Sequence, residues 1–369
     1  MRYTREDGCR AWLTYSLLRP EVLSSLLKEF GSAEAIYDRF MRHGSRFLKE
    51  KGISSSAAAT LREQAEPTKM HEMMVVMQRL NIGILSEQDQ SYPDDLRNIP
   101  SPPALLFYRG NPDCLMGKCV TIVGSRTASP QGIEVTRKIS RELSQAGVTI
   151  VSGMAMGIDA AAHEGCLEGG STTAAVLSCG MNVDYPLENI SLRERIVDNG
   201  GVLLSEYPLD MHASKFVFAG RNRILSGLSR AVLMMESRIR SGSMLTVQHA
   251  LDQGRDVYAY PGVPGTEWAE GAHQLLREGA LYFTSAQDIL EDMDWESTSP
   301  QHADTQNNAL PPLSDEQRRL YTLLSQGEMS FDELAAASGL PIPTLSVSLT
   351  MLQMMGLVKA MPGKTYRRT

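Results

Sequence analysis

The chain has 369 residues, 42% hydrophobic and 21% charged, a composition that excludes a wholly disordered polymer. Its 36 basic and 43 acidic residues give a formal net charge of -7, which excludes a globally basic nucleic-acid binder but not a local cationic patch. No run approaches the ~18 consecutive apolar residues of a membrane span, and the start lacks the apolar centre of a secretory signal, so the expected compartment is the cytoplasm. Residues 1–80 read as a small helical domain. Apolar residues recur periodically over 12–18 and 22–30, and Gly31 and Ser32 end one helix and begin the next. Residues 81–112 read as an extended connector, because Pro93, Pro100, Pro102, Pro103 and Pro112 bracket one apolar run at 104–108.

From 113 to 295 the pattern changes. Short β-branched runs at 120–123, 148–151, 174–177, 202–204, 231–235 and 256–259 alternate with helical segments. They are apolar throughout rather than alternating, as strands covered on both faces are, so this region is expected to be a doubly wound, mostly parallel α/β sheet. Residues 296–312 are polar and read as a flexible linker. A last domain, 313–369, is expected to be a winged helix. Its helices begin at Ser314 and Ser330, a third spans 341–355, and a hairpin over 357–366 turns at Pro362-Gly363. The methionine-rich stretches 70–77 and 351–355 read as helix core. The five cysteines form no Cys-x-x-Cys pair and no zinc spacing, so they read as small buried apolar residues, and no metal site is expected.

Three loops carry chemistry. The first strand runs into Val-Gly-Ser-Arg-Thr-Ala-Ser-Pro-Gln-Gly at 123–132. A small-residue turn before a helix exposes backbone N–H groups, with Gly124 permitting close approach, Arg126 offering a cationic fork, and Ser125 and Ser129 offering hydroxyls. It reads either as a phosphate site or as an ordinary tight turn. It is neither Gly-x-Gly-x-x-Gly nor a Walker loop, so no nucleotide cofactor is expected. The second loop, 151–159, carries Ser152, Gly153 and Gly157. Asp159 is expected to cap the helix that follows, with His163 one turn on, in a hydrogen bond that braces the loop rather than in a catalytic pair.

The third element spans 212–250, where six cations (Lys215, Arg221, Arg223, Arg230, Arg238 and Arg240) meet a single acid, Glu236. Arg221, Asn222 and Arg223 would present two guanidinium forks and an amide to phosphates, so losing Arg126 or Arg221 is expected to weaken binding and spare the fold. Phe216 and Phe218 beside them suit base stacking or the core alike. The Ser241-Gly242-Ser243 turn opens a further helix. Several such loops on one rim suit a polyanion better than a small anion. In the winged helix the third helix lacks Lys and Arg through Thr350, so that domain suits an auxiliary nucleic-acid contact or protein docking equally.

In Tyr92-Pro93, Pro102-Pro103, the loops at 122–129 and 151–163, Tyr185-Pro186, residues 204–206, the Arg-Asn-Arg-Ile run at 221–224, Ser241-Gly242-Ser243, Gly254-Arg255, Pro261-Gly262 and residues 278–280, the chain resembles the DNA-processing protein A family, also called DprA or Smf. The resemblance implies a Rossmann-like core that binds single-stranded DNA without catalysis, loads a RecA-type recombinase in natural transformation and dimerises through that core. It also implies an N-terminal domain of the sterile-alpha-motif or helix-hairpin-helix kind, a C-terminal winged helix, and DNA contacts at Ser125, Arg126, Lys215, Arg221, Asn222, Arg223 and 241–243. Residues 18–23 lack the Gly-x-Gly of a DNA-binding hairpin, and Ala219 and His273 depart from the family pattern. The alternative is a nucleotide-processing phosphoribohydrolase, whose glycine-rich loop the stretch 261–267 partly imitates, with Val263 in place of its second glycine and Glu267 too early.

Overall fold

The computed structural model describes residues 3–44, 46–47, 53–295, 314–324, 329–354, 358–361 and 365–368. The chain divides into two units, residues 1–297 and 298–369. Among the described residues the first begins with the helices α1 (Arg5–Thr14), α2 (Pro20–Phe30), α3 (Ala33–His43), α4 (Ser55–Gln64) and α5 (Pro67–Leu80). Thr4 and Asp7 form a capping box at α1, and Ser32 caps α3. Trp12 is fully buried among them and donates its indole N–H to the Leu61 carbonyl at 2.7 Å.

Six strands form within one residue of their expected spans: β3 (Cys119–Val123), β4 (Thr149–Ser152), β5 (Thr173–Val176), β6 (Val202–Ser205), β7 (Ala231–Met234) and β8 (Asp256–Ala259). With the short β9 (Leu281–Tyr282) they pair in parallel. Parallel neighbours need crossovers. These are α7 (Pro130–Gln145), α8 (Ile158–Gly169), α9 (Ile190–Asp198), α10 (Lys215–Gly227), α11 (Gly242–Asp252) and α12 (Glu270–Arg277), after the short α6 (Asp94–Arg97) and before α13 (Ala286–Asp292). Every residue of β3 to β7 is buried, which accounts for their unbroken apolar runs.

The stretch 81–112 is more than a connector. Its β1 (Ile82–Ser86) and β2 (Leu105–Gly110) pair antiparallel, and β2 pairs antiparallel with β6, giving the sheet order β1-β2-β6-β5-β4-β3-β7-β8-β9. The prolines flank these strands without entering them. One apolar cluster then joins Met77 of α5, Ile84 of β1, Phe107 of β2 and Leu203 of β6, so the N-terminal helices share a core with the sheet. The chain runs from β3 outward to β6, then crosses back so that β7 pairs with the other side of β3. At such a reversal a crevice opens beyond the carboxyl ends of the strands.

The second unit is a winged helix: α14 (Asp315–Leu323), α15 (Phe331–Ser338), α16 (Ile342–Met354), and a sheet of β10 (Met329–Ser330), β12 (Thr365–Arg368) and β11 (Val358–Met361) in that order. Ser314 and Ser330 both head capping boxes. Leu320, Leu334, Leu345, Leu349 and Leu352 fill its core, while Met351 is exposed against expectation. The linker 296–312 and the turn at Pro362-Gly363 lie outside the described residues. Among the described residues no helix is long and apolar enough to cross a membrane.

Candidate nucleic-acid interface

A cleft of about 680 Å³ opens beyond the carboxyl ends of β3 and β7. Gly124, Ser125 and Arg126 after β3 line it, with Lys215 and Phe218 from the first turn of α10 and Arg238, Arg240, Ser241, Gly242 and Ser243 from the segment between β7 and α11. Arg126, Lys215 and Arg240 are exposed cations. Arg238 is paired with Glu267 at 2.6 Å, so the glutamate of the phosphoribohydrolase-like loop is engaged in an exposed ion pair. One wall is aromatic. The Arg126 guanidinium lies 4.3 Å from the Phe218 ring centroid, and Tyr185 meets Phe218 edge-on at 5.9 Å. Exposed cations beside an aromatic face suit a ligand that alternates phosphates with flat bases.

The loops hold one another in place. Ser125 donates its N–H to the Glu236 carbonyl at 2.7 Å, and its own carbonyl accepts the Ile158 N–H at 3.1 Å. Gly157 has φ +76°, and a Cβ there would overlap the Ser125 carbonyl. A Cβ on Gly124 would meet the Ile158 side chain and the Glu236 carbonyl. Both glycines are therefore needed for close approach of the loops to each other.

Several expected contact residues are committed to the fold. Ser129 caps α7 by accepting the Gly132 N–H. It also donates its hydroxyl and its own N–H to the buried Glu236 carboxylate at 2.6 and 2.7 Å. The helix terminus read as a phosphate site thus already holds an anion, supplied by the chain. Ser152 is fully buried and donates to the Ile122 carbonyl at 2.7 Å, and Gly153 is buried beneath the cleft.

Arg221 departs most from expectation. It is 4% exposed, and its guanidinium donates to the carbonyls of Gly153, at 2.8 Å, and of Val176. It braces the ends of β4 and β5 rather than reaching out as a fork. Burial pushes its pKa down, with the nearby Asp159 carboxylate working against that. Asn222 donates to the Gly242 carbonyl at 3.1 Å, tying α10 to α11. Arg223 grips Glu206 with two bonds of 2.8 and 2.6 Å and donates to the Ser101 carbonyl at 2.9 Å. The cations left to a ligand include Arg240, which in the sequence stands out only as part of a charged stretch, whereas Arg238 is taken up by Glu267. The lone acid of that stretch, Glu236, was the available signal that an anion is needed at α7.

Asp159 is not the cap of its helix. Gly157 holds that position, and Asp159 sits in the first turn, where its carboxylate accepts the Ala155 N–H at 3.2 Å. Burial raises its pKa, against the opposing charge of Arg221. His163 does not bond to it. The Thr173 hydroxyl donates to the Ile150 carbonyl, so it accepts from His163 Nδ1 at 2.7 Å. Burial pushes the imidazole pKa down to about 3. Both residues support the loop, but with different partners from the expected pair.

At the amino end of α11, Ser237, Ser241 and Ser243 form a triangle of hydroxyls with edges of 2.6, 2.7 and 3.1 Å. The five cysteines are free thiols, four of them buried.

Residues 83–294 match the family profile of DNA recombination-mediator protein A, and residues 301–364 match the DprA winged helix domain. The chain is 34% identical over 299 residues to protein Smf of Escherichia coli (strain K12), covering 79% of each chain. It is 43% identical over 207 residues to DNA processing protein DprA of Streptococcus pneumoniae, covering 56% of this chain and 73% of that one. The X-ray structure of the Streptococcus pneumoniae protein superposes with a TM-score of 0.62 at 33% identity, covering 79% of this chain and 99% of that one. DNA processing protein A from Helicobacter pylori, whose structure is described for its single-stranded DNA binding mode, superposes with a TM-score of 0.51 at 28% identity, covering 57% and 98%. The chain belongs to the family of DNA recombination-mediator protein A, the DprA and Smf group of DNA-processing proteins.

Proposed function

We propose that this protein binds single-stranded DNA in the cleft beyond β3 and β7, without catalysing a reaction on it, and hands it to a RecA-type recombinase during DNA uptake or recombination. The observation that carries the reading is the grouping of Arg126, Lys215 and Arg240, all exposed, beside the Phe218 ring at the switch point of an otherwise acidic chain. Phosphates would sit against the cations and the helix termini, and bases against Phe218. The cations and the aromatic face that line the cleft would meet phosphates and the flat faces of bases rather than base edges, so affinity would depend little on sequence. The single-stranded DNA binding of the Helicobacter pylori relative supports the ligand class, and the family's description as a recombination mediator supports the recombinase. A cytoplasmic homodimer through the sheet-bearing unit completes the proposal.

The test is binding of labelled single strands to the wild type, Arg126→Ala and Lys215→Ala. Each substitution is expected to weaken binding with an unchanged melting curve. Wild-type affinity in both variants would overturn the assignment of the cleft.

A further inference from the structure

We infer that the DNA site extends past the cleft, over the amino end of α10, into a second pocket that the N-terminal helices help to build and that takes a nucleobase of the same strand. The inference rests on the proposed function and lengthens its site. Phe216 and Phe218 are two residues apart on α10, so they project about 200° apart, to opposite sides of the helix. Phe218 lines the cleft. Phe216 lines a separate pocket of about 210 Å³, with Leu17, Arg19 and Pro20 of the α1–α2 turn and Tyr207. Lys215, on the cleft side, precedes Phe216 directly.

Three observations point to a base rather than to a folded neighbour. Phe216 is 72% exposed and Leu17 54% exposed, a large cost in water for residues next to a shared core. The pocket is mainly apolar but has the exposed Arg19 at its edge, its charge felt by Glu21 without a close ion pair among the described residues, and a phosphate there would be neutralised. The acid that also lines it, Glu206, is held by the two bonds from Arg223, so its charge is already offset. A strand leaving Lys215 meets Phe216 next, and a planar base against its ring would cover the exposed apolar area.

The experiment is anisotropy binding of oligothymidine strands of about 6 and about 20 nucleotides to the full chain, wild type and Phe216→Ala. Thermal melts confirm the fold, which an exposed side chain does not support. The expected result is that Phe216→Ala binds the short strand as wild type does and loses roughly 5- to 150-fold on the long one. Arg19→Ala is expected to lower the salt dependence for the long strand alone. Tight wild-type binding with no loss on the long strand in Phe216→Ala overturns the second pocket and leaves the cleft standing. Loss of self-association in Phe216→Ala, with DNA binding intact, makes the pocket a protein-docking site and overturns the inference too. Failure of the wild type to bind either strand overturns the proposed function together with the inference.

Discussion

Arg221→Ala separates a brace from a ligand contact. The Arg221 guanidinium is buried and donates to two strand-end carbonyls, those of Gly153 and Val176. Hydrogen bonds from a charged donor are worth about 1.5–3 kcal/mol each, and truncation leaves both carbonyls short of a donor. It also leaves the buried Asp159 carboxylate without the cation whose charge favours it. With two such bonds lost, a loss of about 4 kcal/mol is expected. At about 2–4 °C per kcal/mol for a domain of this size, the melting temperature of the sheet-bearing unit should fall by roughly 10 °C. Circular dichroism melts of wild type, Arg221→Ala and Arg221→Lys check this. The lysine keeps the charge but not the fork, so it should fall between the other two. A wild-type melt of Arg221→Ala, combined with weakened DNA binding, would refute the reasoning and restore Arg221 as an outward fork.

Arg126→Ala and Lys215→Ala should each reduce the slope of log affinity against log salt by about 0.7, the value for one phosphate contact on a single strand, while melting as wild type does; unchanged slopes contradict the cleft. Glu236→Gln should destabilise by about 1–2 kcal/mol, because the α7 terminus and the Ser129 hydroxyl lose a charged acceptor; an unchanged denaturant midpoint contradicts the internal anion. His163 has an ordinary pKa of 6.5 and a folded value of about 3, so below pH 6.5 the unfolded chain takes up a proton that the folded chain refuses. Stability should therefore fall by up to about 1.4 kcal/mol per pH unit between 6.5 and 3 from this group, and His163→Asn should flatten that part of the pH–stability curve; an identical curve contradicts the buried neutral imidazole. Asp159, whose pKa is raised, works in the opposite direction, so the comparison is between variants rather than with a flat line. Gly157→Ala should cost more than about 1 kcal/mol and weaken DNA binding, because its φ of +76° and the Ser125 carbonyl leave no room for a methyl group; wild-type DNA binding with an unchanged melt contradicts the loop packing.

The strands were legible because burial on both faces forces unbroken apolar runs. That signal fails for β1, whose short run is interrupted by Gly83, and for β2, which sits beside prolines whose turn-forming character dominates any local reading, although the run at 104–108 is as apolar as the others. The loops of the cleft were legible as small-residue turns at strand ends. Arginine roles were not. Arg126 and Arg221 look alike in sequence, and only the crossover that buries α10 against β4 and β5 turns one outward and the other onto carbonyls. Ser129 was misread for a related reason. Its phosphate-like partner is Glu236, 107 residues later, just past a strand that the topology returns to the flank of β3. His163 reads in the sequence as a partner of Asp159, but Thr173, which bonds it, comes from the next strand rather than from its own helix.

The central claim is that the cleft at the β3–β7 switch point is the single-strand site. The most direct measurement is fluorescence anisotropy of a labelled single strand and its duplex, at two salt concentrations, with the wild type and an Arg126→Ala/Lys215→Ala double variant. The account predicts tight, single-strand-preferring, salt-sensitive binding by the wild type. It predicts a double variant that melts normally, binds far more weakly and responds less to salt. A duplex preference, or a double variant that binds the single strand as the wild type does, would contradict it.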